Sequence, residues 1–162
     1  MFRSRKSSGG EEISKSMEIR NYSPADLDDV VAIFRSNVPK YFGPGEESEL
    51  RDFLSNLSGP YFVAEIDEMV IGAGGIALNK DERSVSLCWG MIHSDHLGKG
   101  LGRELTGYRI AAAREEYGRL PLVISTSQHT AGFYGKFGFM LLDRVADGFA
   151  SGIDMCKMRL EA

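Results

Sequence analysis

Between Tyr61 and Ile92 three extended runs follow one another with almost nothing between them. Tyr61–Ile66 and Met69–Leu78 flank the two-residue turn Asp67-Glu68, and after residues 79–83 a third run spans Ser84–Ile92. Connections this short join antiparallel neighbours, whereas parallel strands need a crossover of about a dozen residues or more. The spacing therefore predicts an antiparallel meander, around which the rest of the chain must be arranged.

The flanking periodicities complete the set. A short strand begins at Ile19. Ser23-Pro24-Ala25-Asp26 is a capping-box start with proline in the first turn, followed by Leu27, Val30, Val31 and Phe34 on one helical face. A Gly/Pro loop, Tyr41-Phe42-Gly43-Pro44-Gly45, leads to a second helix carrying Leu50, Phe53, Leu54 and Leu57 and ending at Gly59-Pro60. After the meander comes a glycine-rich loop, then a helix over 100–117 with Leu101, Leu105, Tyr108 and Ala112 on one face and Gly118 as C-cap. Residues 120–125 read as a strand, 130–137 as a short helix ending at Gly138, and 139–146 and 153–160 as two last strands. The predicted order is β α α β β β α β α β β, an α/β (α+β) arrangement with a mixed, mostly antiparallel seven-stranded sheet flanked by four helices.

A chain of 162 residues suits one domain, here residues 17–162. Residues 1–16 (MFRSRKSSGGEEISKS) are polar, lack the apolar stretch of a secretory signal, and are expected to be a disordered tail. With 19 basic against 23 acidic side chains the net charge is −4, which argues against charge-driven binding to nucleic acid. Cys88 and Cys156 have no Cys or His neighbours at ligand spacing, so neither a zinc site nor a CxxC redox pair is expected. No apolar run approaches the roughly 20 residues of a membrane helix. A soluble, cytoplasmic protein without metal is the expectation.

The chemistry-bearing segment is Leu97-Gly98-Lys99-Gly100-Leu101-Gly102-Arg103, set between a strand and a helix. Glycines allow successive N–H groups to turn inward at the positive end of the helix dipole, where a phosphate is held. Each such contact contributes only about 0.3–2 kcal/mol, which favours a polyanion such as a pyrophosphate. Lys99 and Arg103 add charge beside it. A dinucleotide fold is excluded, because the glycine spacing is wrong and Arg119 and Leu120 stand where its acidic residue belongs. A Walker loop is excluded because no Gly-Lys-Ser/Thr follows the required gap.

This loop after a meander, followed by helix, strand and Thr130-Ala131-Gly132-Phe133-Tyr134-Gly135-Lys136-Phe137-Gly138-Phe139, resembles the GNAT superfamily of acyl-CoA-dependent N-acetyltransferases over about residues 17–160. The family's pyrophosphate motif, Gln/Arg-x-x-Gly-x-Gly/Ala, falls on Leu97, Gly98, Lys99, Gly100, Leu101 and Gly102, with Leu97 in place of the usual Gln or Arg. The resemblance implies acetyl-CoA as co-substrate and a pantetheine arm paired along Met91, Ile92 and His93. Its second motif aligns through Tyr134, Gly138 and Phe139. Ser127 then stands at an Asn position and Thr130 at an Ala position, with Ser127 able to offer one hydrogen bond to the cofactor. Dimerisation through the C-terminal strands, common in the family, is permitted by an exposed edge after Gly152.

Acyl transfer to an amine poses two proton problems. A Lys-type amine of pKa about 10.4 is only about one part in 2,500 neutral at pH 7, a deficit near 4.6 kcal/mol, whereas an amine of pKa near 8 is about one part in ten neutral. The departing thiolate can be met by a phenol, and Tyr134 is placed for that role by the motif. Many family members carry a carboxylate on the strand before the glycine loop, but Ser84–Ile92 contains none. Water, His93 or Glu65 are the candidate bases. The resemblance sets the first two helices beside the thioester, where Tyr41, Phe42 and Glu46, with Glu65, form an aromatic and acidic candidate surface for a small-molecule or peptide amine. The expected function is N-acetyl transfer by direct attack; a non-catalytic acyl-CoA-binding sensor is the alternative.

Overall fold

A computed structural model of the chain describes residues 5–6, 13–14 and 16–162. One sheet is built from β1 (Glu18–Asn21), β2 (Tyr61–Ile66), β3 (Met69–Asn79), β4 (Ser84–Ile92), β5 (Leu122–Thr126), β6 (Met140–Ala150) and β7 (Ile153–Leu160), in the spatial order β1-β2-β3-β4-β5-β7-β6. Every neighbouring pair is antiparallel except β4 and β5. The helices are α1 (Leu27–Ser36), α2 (Glu47–Ser55), α3 (Leu101–Tyr117) and α4 (Ala131–Gly135). The element order is the predicted one. Of the expected tail, Arg5–Lys6 pairs with Ile13–Ser14, and most of the remainder lies outside the described residues.

The pleat divides the core by parity. Val63 and Ala73 face α1 and α2, packing with Val30, Phe34, Leu50 and Leu54. Phe62, Ala64 and Ile71 face the other way, against Leu101 and Leu105 of α3. A third cluster joins Ala113, Tyr134 and Phe139 to Leu87, Leu122 and Ile124. The entrance to α1 follows from its cap: the Ser23 N–H donates to Asp26 at 2.8 Å, and Arg20 of β1 holds the same carboxylate at 2.9 Å. Strand and helix are thereby tied at the start of the domain.

Three local expectations are corrected. Helix α2 stops at Ser55, where the Asn56 N–H turns back to the Phe53 carbonyl, so Leu57 leaves the helical face and is exposed. Strand β6 runs on to Ala150, past the expected end at 146. In α3 the buried positions are Leu101, Leu105, Thr106, Arg109 and Ala113, while Tyr108 is half-exposed and meets Phe62 edge-on. An arginine thus occupies the centre of a face read as apolar. It fits because β3 and β4 offer glycines beneath it, Gly74 and Gly90.

Two irregularities in β4 prepare the site. Ala73 pairs with Met91 and Gly75 with Cys88, so β4 uses three steps where β3 uses two; Trp89 takes up the excess with a φ of 44°. The extra residue reverses the alternation, which puts Val85 and Leu87 before it and Ile92 after it on the same side of the sheet. On its other edge β4 meets β5 at only two positions, Val85↔Leu122 and Ser86↔Val123. Beyond these the strands diverge, because β5 remains paired with β7 along all of Leu122–Thr126.

Candidate active site

The divergence opens a cleft of about 1010 Å³. One wall is the free edge of β4, residues Leu87 to Ile92; the opposite wall is Val123–Ser127 of β5 with Phe133 and Tyr134 of α4. Leu97 and Gly98 close one end. Asn37, Tyr41, Phe42, Glu46 and Glu49 from the α1–α2 region line the cleft, as do Leu142 and Phe149 of β6 and Met155 and Lys157 of β7. Strand edge, the start of the glycine loop, Tyr134 and the aromatic-acidic segment therefore share one space, while Lys99 to Arg103 are not among its lining residues.

Gly98 and Gly100 both have φ +79°, which an L side chain adopts only under strain, and nothing lies within 4 Å of where a Cβ would stand on either. The bends bring the chain to Gly100, the N-cap of α3. The first bond of that helix runs from the Glu104 N–H to the Gly100 carbonyl, so the amides of Leu101, Gly102 and Arg103 have no helical acceptor. Lys99 and Arg103 are exposed beside them, and the Leu101 side chain is buried under the loop. Open space, unused amides and two cations fit a pyrophosphate.

Along β4, Met91 and Ile92 line the cleft. The Ile92 carbonyl accepts from Asn37 Nδ2 at 2.9 Å, which fixes the end of α1 against the strand. His93 does not reach the cleft; its N–H donates to the Ile71 carbonyl at 2.7 Å and its Nδ1 accepts from the Asp95 N–H. Glu65 is also elsewhere, bound at 3.1 Å to Arg20. Neither candidate base faces the space in which an amine would meet a thioester, because strand parity and the Arg20 pairing direct them away.

Ser127 is buried, and its Oγ accepts from the His129 N–H at 3.2 Å, so its hydroxyl organises the turn into α4. Thr130 hydrogen-bonds Thr126 through their hydroxyls and returns its N–H to the Ser127 carbonyl. The turn seats Tyr134, which is buried and wedged edge-on between Phe133 and Phe139 at 5.0 and 5.9 Å.

At the other end Phe42 stacks on Phe34 at 5.2 Å and leans on Trp89 at 5.8 Å, and Tyr41 meets His129 edge-on at 6.0 Å. Glu46 is buried in this group. Its Oε2 accepts the Gly43 N–H at 2.7 Å, and burial pushes its carboxyl above the ordinary range despite that bond. Its second oxygen has no hydrogen-bond partner among the described residues. Burial likewise raises the Cys88 thiol, which keeps it protonated in the cleft wall. Sequence reading missed His129, Trp89 and Arg109; Trp89 gave a signal only once the α1–α2 loop, with the expected Phe42, was known to fold back on β4. Among the described residues no cluster of three potential metal ligands occurs.

A profile of the acetyltransferase (GNAT) family matches residues 27–139, most of the chain, and the protein belongs to that family. Similar solved structures include ribosomal-protein-alanine N-acetyltransferase from Brucella melitensis (20% identity, 90% of this chain and 99% of that one, TM-score 0.73). Others are yncA from Salmonella typhimurium with its cofactor acetyl-CoA (20%, 90% and 94%, 0.68) and an aminoglycoside 6'-N-acetyltransferase complexed with coenzyme A (14%, 89% and 96%, 0.70). At such identities the likeness is one of fold. No curated protein matches the chain. The protein is a GNAT-type acetyltransferase, and among its described residues no helix is long and apolar enough to cross a membrane.

Proposed function

We propose that this acetyltransferase moves the acetyl group of acetyl-CoA onto a primary amine of a small molecule or peptide by direct attack. The observation that carries the reading is the free edge of β4 sharing one cleft with Leu97 and Gly98 of the glycine loop, with Glu46 and with Tyr134. The pyrophosphate is held by amides from Gly98 to Arg103, with Lys99 and Arg103 as counter-charges. The pantetheine arm lies along Met91 and Ile92, and Ser127 and Thr130 support the β5–α4 turn beside it.

The acceptor enters between Tyr41, Phe42 and Trp89. A cationic amine is drawn by Glu46 and Glu49, and Glu46 takes its proton through the oxygen not bound to Gly43. That carboxyl is suited to the task because burial raises its basicity, and general-base help of this kind contributes about 10²–10⁴-fold. The neutral nitrogen attacks the thioester carbon, the C–S bond breaks, and Tyr134 donates a hydrogen bond or proton to the departing sulfur. The cleft holds no nucleophile poised for a covalent acyl-enzyme, since the Cys88 thiol is kept protonated by burial and lacks a neighbouring base.

The test is acetyl-CoA binding by calorimetry at two salt concentrations, followed by mixing with polyamines, amino acids, aminoglycosides and peptides while free thiol is measured. Thiol release with one amine class supports the proposal. Binding without release on any of them supports a non-catalytic acyl-CoA sensor, and absence of binding refutes the reading.

A further inference from the structure

Arg109 is 1% exposed, the largest side chain among the fully buried ones. Its Nε donates to the Gly75 carbonyl at 3.3 Å and its Nη2 to the Cys88 carbonyl at 3.2 Å. Among the described residues no carboxylate pairs with it. A guanidinium cannot shed its proton to escape burial, so a full positive charge sits inside the protein without a counter-ion. The groups that face it are Tyr61 from β2 and Cys88 from β4, both uncharged because burial raises them.

Its position is built by the neighbouring strands. A Cβ on Gly74 would stand 2.8 Å from Nε, and one on Gly90 would stand 2.3 Å from Nη1. The arginine therefore passes through a window of two missing side chains and ends directly behind Gly90, which lines the cleft. From the opposite face of the sheet the Tyr61 hydroxyl donates to the Trp89 carbonyl at 2.9 Å. Arg109 and Tyr61 so capture consecutive carbonyls at the β4 bulge, that of Cys88, the last residue in register before it, and that of Trp89, which has no register partner in β3.

We propose that Arg109 is a positioning residue for acyl transfer: it locks the Cys88–Gly90 bulge and holds a fixed positive charge behind the wall on which the acyl carbonyl rests. As the amine forms its C–N bond, the carbonyl π pair moves to oxygen; when the C–S bond breaks, that pair returns, and the amine proton ends on the thiol. The charge behind Gly90 stabilises the oxygen while it is negative, at no reorganisation cost because the guanidinium is already fixed. The absence of a carboxylate on β4 keeps that charge unneutralised.

The inference rests on acetyl-CoA occupying this cleft, and the test separates the two. Acetyl-CoA labelled with ¹³C at the carbonyl is bound to the wild-type protein without acceptor, and its isotope-edited infrared band is compared with the free compound. The expected result is a shift to lower wavenumber. Arg109→Met should lose at least half of that shift and lower kcat by about ten- to a hundredfold, with the dissociation constant of acetyl-CoA within about threefold of wild type. Arg109→Lys, which keeps the charge but not the fork, should retain most of the shift and carries the comparison if the Met variant does not fold. A bound wild-type complex with an unshifted band, or a Met variant with the wild-type band and kcat, overturns the role of Arg109 alone. Failure of acetyl-CoA to bind overturns the cofactor reading and this inference with it.

Discussion

The Gly74–Gly90 window can be tested as a packing claim, independently of catalysis, by Gly90→Ala. The backbone of Gly90 is not in the left-handed region, so alanine brings no conformational penalty of its own. Its methyl would lie 2.3 Å from Arg109 Nη1 and 3.0 Å from Cζ, so the guanidinium must move. Moving it breaks hydrogen bonds to the Gly75 and Cys88 carbonyls. Bonds involving a charged group contribute about 1.5–3 kcal/mol each, and overpacking costs about 1–3 kcal/mol. With partial relaxation the variant should lose about 3 kcal/mol. In a domain of this size that is a fall in Tm of about 6–12 °C. In an Arg109→Ala background the three atoms nearest that methyl are gone, and the same substitution should cost under about 1 kcal/mol. Urea unfolding of the four proteins gives a double-mutant cycle with an expected coupling of about 2 kcal/mol. Additive losses would refute the geometry, since the two side chains could not then compete for one volume.

Tyr134→Phe should lower kcat by about ten- to a thousandfold with acetyl-CoA affinity unchanged, measured by thiol release and calorimetry; equal kcat removes the phenol from the reaction. Because burial raises the Glu46 carboxyl, the folded state binds its proton more tightly than the unfolded chain does, so stability falls as pH rises through the range just above the ordinary carboxylate pKa. Glu46→Gln keeps an oxygen for the Gly43 N–H and should abolish that slope in urea titrations across this range. Asp26 has the opposite sign: the bond from Arg20 holds its carboxyl below the ordinary range, so its stabilisation is present above that range and lost as pH falls through it. Asp26→Asn should cost about 1–3 kcal/mol at pH 7, with the deficit against wild type shrinking toward pH 3.

Period and turn chemistry carried the order of elements, because each strand and helix here announces itself locally: the Asp67-Glu68 turn, the Ser23–Asp26 cap, the glycines at 98, 118 and 138. The glycine loop was legible for the same reason. What could not be read were features decided between distant segments. Arg109 went unread, since its burial depends on two residues without side chains on other strands. The Trp89 bulge has no local signature and shows only as an offset between β3 and β4. Glu65 and His93 were candidate bases by type, but Arg20 holds the Glu65 carboxylate and the Asp95 N–H donates to the His93 imidazole, both away from the cleft. Glu46, read as part of an acidic surface for the acceptor, is buried against the cleft, where Gly43 packs on Ala150 at the far end of the sheet, a contact no local pattern announces.

The divergence of β4 from β5 also bears on how this molecule meets its own copies. Unsatisfied strand edges are where β proteins adhere to one another, and they are usually kept at the rim, shortened or charged. Here one such edge lies four strands in, walled by α4, the α1–α2 loop and β7, where no second sheet can approach it. The outer rims differ: β1 offers four residues, whereas β6 offers eleven, with Met140, Leu141 and Leu142 turned to solvent. Colloidal behaviour should therefore be governed by β6, while the interior edge stays reserved for an extended guest narrow enough to enter between two strands.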